Sequence, residues 1–156
     1  MLEHRPPGIG GVCFLDLFAG SGAIGLEALS RGAGKLVAVE ADRGVAAALR
    51  RNLAKLGESD RARLLIGDAT RLPRATDPAD IVYLDPPYES GLAAPAMASL
   101  VAGGWLAPGA LVVVELAARE GFELSPNFTV SDTRRYGAGR IVLLEVALTL
   151  DSTAEQ

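Results

Sequence analysis

The chain has 156 residues, 49% of them hydrophobic and 22% charged, with a formal net charge of −4 and a pI near 5.0. This length and apolar content predict one folded domain over 1–150 and exclude general disorder. No apolar run approaches the ~20 residues that span a bilayer, and Met1 to Pro7 lacks the apolar core of a signal peptide, so a cytoplasmic chain without a membrane partner is expected.

The first apolar run, 12–17, reads as a strand and leads into the glycine-rich Ala19-Gly20-Ser21-Gly22. A helix follows from Ala23 and stops near Gly32-Ala33-Gly34. Residues 35–40 read as a second strand, 43–56 as a helix with Gly57 as its C-cap, and 62–66 as a third strand. A fourth strand over 80–84 ends in Asp85-Pro86-Pro87-Tyr88. A helix over 92–101 precedes Gly103-Gly104, and 111–116 is a fifth strand. Residues 128–131 and 141–148 read as a final antiparallel pair, and 151–156 as a disordered tail. Strands one to five are apolar at consecutive positions, which suits parallel strands covered on both faces. Cys13, the single cysteine, excludes an intrachain disulfide and a cysteine-built zinc site, and its apolar run predicts a small buried strand residue. His4, the one histidine, falls in a Pro-rich stretch outside the core and is not expected to act in catalysis.

A parallel sheet with helical crossovers gathers its ligand at the carboxyl ends of its strands. Asp16, Glu40, Asp68 and Asp85 fall at or near those ends. Gly20, Gly22 and Gly25 fit the spacing G-x-G-x-x-G, which allows a tight turn and presents a helix N-terminus to an anion. A nicotinamide-dinucleotide site would show the same pattern. Asp16 is awkward beside a pyrophosphate and useful near the ammonium and sulfonium of S-adenosylmethionine. Glu40 can accept both ribose hydroxyl hydrogens, with Asp42 as the cap of the next helix. Asp68 can accept from an adenine amino group while the Ala69 N–H meets a ring nitrogen; a turn-forming role for Asp68 is equally open.

Asp85-Pro86-Pro87-Tyr88 is the most specific signal. The two prolines end the strand and remove two N–H donors, leaving an edge of acceptors. The Asp85 carboxylate and the Pro86 carbonyl can then hold one planar –NH2 group, and Tyr88 offers a ring for stacking, worth ~1–3 kcal/mol. Trp105 is expected in the core. Phe18, inside the glycine motif, is a candidate cofactor contact. Arg134, Arg135 and Arg140 flank the last hairpin, either as phosphate contacts or as solvated charge. The acidic balance itself runs against a nucleic-acid binder, which more often shows a basic face.

Asp16-Leu-Phe-Ala-Gly-Ser-Gly together with Asp85-Pro-Pro-Tyr resembles the class I amino-methyltransferases. With Val39-Glu40, Asn52-Leu53, Gly67-Asp68-Ala69 and Arg135-Tyr136-Gly137 added, the chain is more closely similar to the RsmD-type 16S rRNA guanine-N2-methyltransferases, over about Leu15 to Val146. The resemblance implies a Rossmann-like α/β fold with a mainly parallel seven-stranded sheet and a C-terminal antiparallel hairpin. It implies transfer from S-adenosylmethionine, leaving S-adenosylhomocysteine, to the N2 amine of a guanine in 16S rRNA of the small ribosomal subunit. The candidate cofactor shell is Asp16, Phe18, Gly20, Ser21, Gly22, Glu40, Ala41, Asp68, Ala69 and Asp85. The candidate catalytic set is Asp85, Pro86, Pro87 and Tyr88, with no metal and a monomer expected.

The family carries a basic, Arg- and Gly-rich segment ahead of its first core strand. Only about eleven residues precede that strand here. A fragment, an alternative start and a shortened natural form are all open, and loss of phosphate-binding residues would account for the acidic charge. Alternatives are methylation of adenine N6 in DNA or of a protein amide, a nicotinamide-dependent oxidoreductase, and a non-catalytic cofactor-binding remnant.

Overall fold

Consecutive apolar residues along a strand demand cover on both faces of the sheet, and the chain supplies it with helices between strands. The computed structural model describes residues 8–147. In chain order these form β1 (Cys13–Leu17), α1 (Ala23–Ser30), β2 (Lys35–Glu40), α2 (Arg43–Lys55), a 3-10 turn (Ser59–Arg61), β3 (Ala62–Ile66), β4 (Ala79–Leu84), α3 (Ala93–Ala102), β5 (Leu106–Ala117), β6 (Phe128–Tyr136) and β7 (Gly139–Val146). They build one seven-stranded sheet in the order β3-β2-β1-β4-β5-β7-β6. The pairings from β3 across to β5 are parallel; β7 inserts antiparallel between β5 and β6. This is the Rossmann-like α/β architecture with a C-terminal antiparallel hairpin. His4 and the expected tail over 151–156 lie outside the described residues.

Side chains along the strands alternate between two apolar layers. Phe14, Leu36, Ala38 and Ile81 pack with Ala28 and Leu29 of α1 and Leu49 and Leu53 of α2. Leu15, Leu17, Val37, Val39, Val82 and Leu84 pack on the other face, with Ala96, Met97 and Leu100 of α3. Trp105 is buried in this second layer, and its indole N–H donates to the Pro73 carbonyl at 2.7 Å. Cys13 opens β1 and is half-buried rather than buried, a correction to the expectation; as the first residue of the strand it lies at the rim of the sheet.

Several boundaries differ from the sequence expectation, most by a single residue and a few by more. Strand β5 begins at Leu106, ahead of Pro108-Gly109, because Leu106 pairs with Ala79 before the register shifts and resumes at Ile81 with Leu111. An irregularity of this kind is where a strand tolerates proline. Strand β6 continues to Tyr136, well past 131. It is an edge strand, so its polar run of Ser131 to Arg135 faces largely outward and lacks an apolar signature. Strand β7 accordingly starts at Gly139, with two residues between it and the end of β6.

The chain leaves β1 toward β2 on one side and returns to β4 on the other. This reversal opens a crevice at the carboxyl ends of β1 and β4, where ligands of open α/β sheets bind. No helix among the described residues is long and apolar enough to cross a membrane.

Candidate functional site

A cavity of about 520 Å³ opens at that crevice. Its wall includes Phe18 after β1, Glu40 and Ala41 after β2, and Asp68 and Ala69 after β3. The opposite wall is Asp85, Pro86, Pro87 and Tyr88, with Leu92 ahead of α3. The lining holds three acids and no Lys or Arg. Two hollows of about 630 and 670 Å³ lie along α3, and neither gathers more than one acid. Asp16, Gly20, Ser21 and Gly22 are not in the lining of the 520 Å³ cavity.

Those four residues shape the cavity from behind. Gly22 caps α1 at φ 95°, and a Cβ there would lie 2.0 Å from Leu49 Cδ1 of α2. Only glycine permits both that backbone and that approach. The carbonyl of Ser21 accepts from Asn52 Nδ2 at 2.9 Å, which ties the loop to α2. The Gly20 N–H donates to Glu40 Oε1 at 2.8 Å, and Glu40 Oε2 accepts from the Asp42 N–H at 2.9 Å. Each carboxylate oxygen has two acceptor sites, so both keep capacity for a ligand hydroxyl. Asp42 is the N-cap of α2, with Oδ1 accepting from the Val45 N–H at 3.0 Å.

Asp16 is 2% exposed, and its Oδ2 has no hydrogen-bond partner. Burial pushes its carboxyl up to about 7; the Gly25 N–H in the first turn of α1 opposes that rise, and the Asp85 and Glu40 charges add to it. A buried acid with an orphaned oxygen is costly in isolation and calls for a donor.

Asp68 makes a local turn. Its Oδ1 accepts from the Thr70 N–H at 2.8 Å and the Thr70 hydroxyl at 2.7 Å, and these bonds hold its carboxyl below the usual range. Phe18 has φ 62°, a left-handed backbone rare for a residue with a bulky side chain. Strain of this kind concentrates at ligand-binding turns.

The double proline follows β4 directly. Asp85 is exposed on the cavity wall; desolvation, then the charge of Glu115 and a hydrogen bond with it, push its carboxyl up to about 6. Tyr88 is 48% exposed on the cavity wall.

Two features were missed by sequence reasoning. Asn52 was noticed only as part of a resemblance, with no role. Glu115 was read as an ordinary position of the fifth strand. An acid inside the apolar run Leu111-Val-Val-Val-Glu-Leu116 was the available signal. Of the three hairpin arginines, Arg134 pairs with Asp132 at 3.0 Å and Arg140 Nη1 donates to the Ala118 carbonyl at 3.1 Å.

The model of the family described as conserved hypothetical protein 95 matches residues 1–145. The chain is 42% identical over 113 residues to ribosomal RNA small subunit methyltransferase D of Escherichia coli K12, covering 72% of this chain and 57% of that relative. It is 37% identical over 127 residues to the protein of the same name from Haemophilus influenzae, covering 79% of this chain and 66% of that one. The chain thus spans 57–66% of the length of these curated relatives. The solved structure of the Escherichia coli protein yhhF superposes with a TM-score of 0.81 at 33% identity, covering 95% of this chain and 82% of that one. With the match covering nearly the whole chain and the fold shared, the chain belongs to this conserved hypothetical protein 95 family, that of the RsmD-type methyltransferases.

Proposed function

We propose that the protein transfers a methyl group from S-adenosylmethionine to the exocyclic N2 amine of a guanine in 16S rRNA of the small ribosomal subunit. The observation that carries this reading is the single cavity shared by Glu40, Asp68, Asp85 and Tyr88. The family relatives named as small-subunit rRNA methyltransferases support the substrate.

The donor set fits the cofactor. A wall with three acids and no cation suits a positively charged ligand and repels a pyrophosphate, which disfavours a nicotinamide dinucleotide. The orphaned Oδ2 of Asp16 suits the ammonium end. Glu40 would hold the ribose hydroxyls, Asp68 and the Ala69 N–H the adenine, and Phe18 and Ala41 its faces. Gly20, Ser21 and Gly22 shape the turn beside the amino-acid end. When bound, S-adenosylmethionine supplies a methyl group made electrophilic by its sulfonium.

The chain's own part is positioning. Asp85 and the Pro86 carbonyl accept the two hydrogens of the base amine, so that its lone pair faces the methyl carbon. Pro87 keeps the loop free of a competing N–H, and Tyr88 stacks the base. The target base must be unstacked or single-stranded to enter. The amine nitrogen would take the methyl group of bound S-adenosylmethionine as S-adenosylhomocysteine leaves, and the proton of the resulting cationic amine would pass to the Asp85 carboxylate and on to solvent. No metal is assigned a role, and the protein acts in the cytoplasm as a monomer.

The test is mass spectrometry of nucleosides from small subunits incubated with the protein and a labelled methyl donor. Label in N2-methylguanosine is the expected result. Label in N6-methyladenosine or in protein alone, or none with cofactor bound, would overturn the reading.

A further inference from the structure

Glu115 lies in the middle of a row of polar side chains that crosses the carboxyl edge of the sheet. Asp16 pairs with Tyr83, and Tyr83 with Val113, two residues before Glu115. One register step beyond the β4–β5 ladder sets Asp85 beside Glu115. On the other side Ala117, two residues after Glu115, pairs with Gly139, which pairs with Tyr136. Side chains two apart share a face, so Asp16, Tyr83, Asp85, Glu115 and Tyr136 all project to the same side.

The contacts follow this register. The Tyr83 hydroxyl donates to Glu115 Oε2, and the Tyr136 hydroxyl donates to Glu115 Oε1. The Glu115 carboxyl lies close enough to Asp85 for its charge to help raise the Asp85 carboxyl. Tyr136 in turn meets the hydroxyl of Tyr88. Gly139 makes room for this cluster, since a Cβ there would lie 2.5 Å from Tyr88 Oη and 3.0 Å from Tyr136 Oη. Two tyrosines from different strands thus spend their donors on one acid whose remaining neighbour is the acid of the Asp85 motif. A structural role alone would not require a second carboxyl at that point, because like charges at short range repel.

We propose that Glu115 is a positioning residue for Asp85: clamped by the Tyr83 and Tyr136 hydroxyls, its carboxyl fixes the orientation of the Asp85 carboxyl and the charge around it. The inference rests on the reading of Asp85 as the amine acceptor. The Glu115 carboxyl beside it is one of the causes that raise the Asp85 carboxyl, and the ionised Asp85 carboxylate is the stronger acceptor for an amine hydrogen. The groups facing Asp85 are Asp16 from β1, Tyr83 from β4, Glu115 from β5 and, through Glu115 and Tyr88, Tyr136 from β6. Beyond them Glu120 accepts from the Glu89 N–H at the rim. None of these groups is cationic.

Glu115→Gln keeps the size and an acceptor oxygen while removing the charge. Carbon-13 carboxyl NMR titration of Asp85 and the pH profile of kcat/KM on small subunits are compared between the wild-type chain and Glu115→Gln. The Asp85 midpoint and the acid limb are expected to move to lower pH together, by roughly half a unit or more, as a like charge is removed. At pH 8 kcat should fall roughly tenfold, since orientation is lost, with S-adenosylhomocysteine affinity within about twofold of wild type. An unmoved Asp85 midpoint overturns the proposal, whatever turnover does. A shifted midpoint with no RNA methylation even by the wild-type chain overturns the proposed function and leaves the carboxyl pair standing. Tyr136→Phe removes a single hydroxyl from a residue 44% exposed and serves if Glu115→Gln does not fold. A kcat loss of several-fold at unchanged KM supports the clamp, and an unchanged kcat overturns it.

Discussion

Gly20 and Glu40 are joined by an N–H to Oε1 hydrogen bond of 2.8 Å, so the loop after β1 and the end of β2 move as one unit. Glu40 therefore holds the loop, and in the proposed function it accepts ligand hydroxyls as well. Glu40→Ala should weaken S-adenosylhomocysteine binding by about 1–3 kcal/mol, as loss of a charged acceptor does. Isothermal titration calorimetry measures it, and unchanged affinity would place the ribose elsewhere.

Asp85→Asn keeps the shape of the loop but replaces an acceptor oxygen with an NH2 donor aimed at the amine. A fall in kcat of about 10²–10³-fold is expected, comparable to loss of one preorganised electrostatic contact. In the wild-type chain the Asp85 carboxyl sits up at about 6. The ionised carboxylate is the stronger acceptor and the neutral acid turns a donor toward the amine, so turnover should rise as pH passes upward through that value and level off above it. Single-turnover rates between pH 5 and 8 follow the limb, and a flat profile would remove Asp85 from the chemistry.

Asp16 gives a stability signature of the opposite kind to a salt-bridged acid. Its carboxyl is raised to about 7 in the fold from an ordinary value of 3.8. Between these values the folded chain binds more protons than the unfolded one, so stability falls as pH rises through the window. The thermal midpoint should drop between pH 5 and 8 in the ligand-free protein. Asp16→Asn should flatten that slope and stabilise the protein at pH 8, on the order of a few kcal/mol, while weakening S-adenosylmethionine binding. Thermal denaturation with and without ligand tests both parts.

Gly22 and Gly139 separate packing from function. Gly22→Ala forces a Cβ into Leu49 at a left-handed backbone and should cost about 2–4 kcal/mol of stability, read by urea denaturation. Gly139→Ala instead meets the hydroxyl end of Tyr88, which can swing away. Stability should change by less than about 1 kcal/mol, while KM for the ribosomal subunit rises as the stacking ring is displaced.

The parallel core was legible because burial on both faces leaves consecutive apolar residues, as in Leu36 to Val39. The acids at the strand ends stood out against that background, and Asp85-Pro86-Pro87-Tyr88 marked its strand end by removing donors. Asp68 shows what remained ambiguous, since its Oδ1 serves the local turn through Thr70. The extent of β6 was hidden, because an edge strand with outward polar residues lacks the alternation that a half-buried one shows. Glu115 was hidden for a different reason. Its partners come from β4 and β6, and only the insertion of β7 between β5 and β6 brings Tyr136 within reach. A linear reading has no term for that topology.

That insertion has a consequence for biosynthesis. Strand β6 emerges from the ribosome before β7, yet it touches the sheet only through β7. A nascent chain arrested before Gly139 can assemble the wall made by β1, β2 and β3, but Tyr136 has no strand to carry it to Glu115. The side of the pocket built by β1, β2 and β3 matures first, and the side where Tyr136 meets Glu115 is completed only once β7 has been translated.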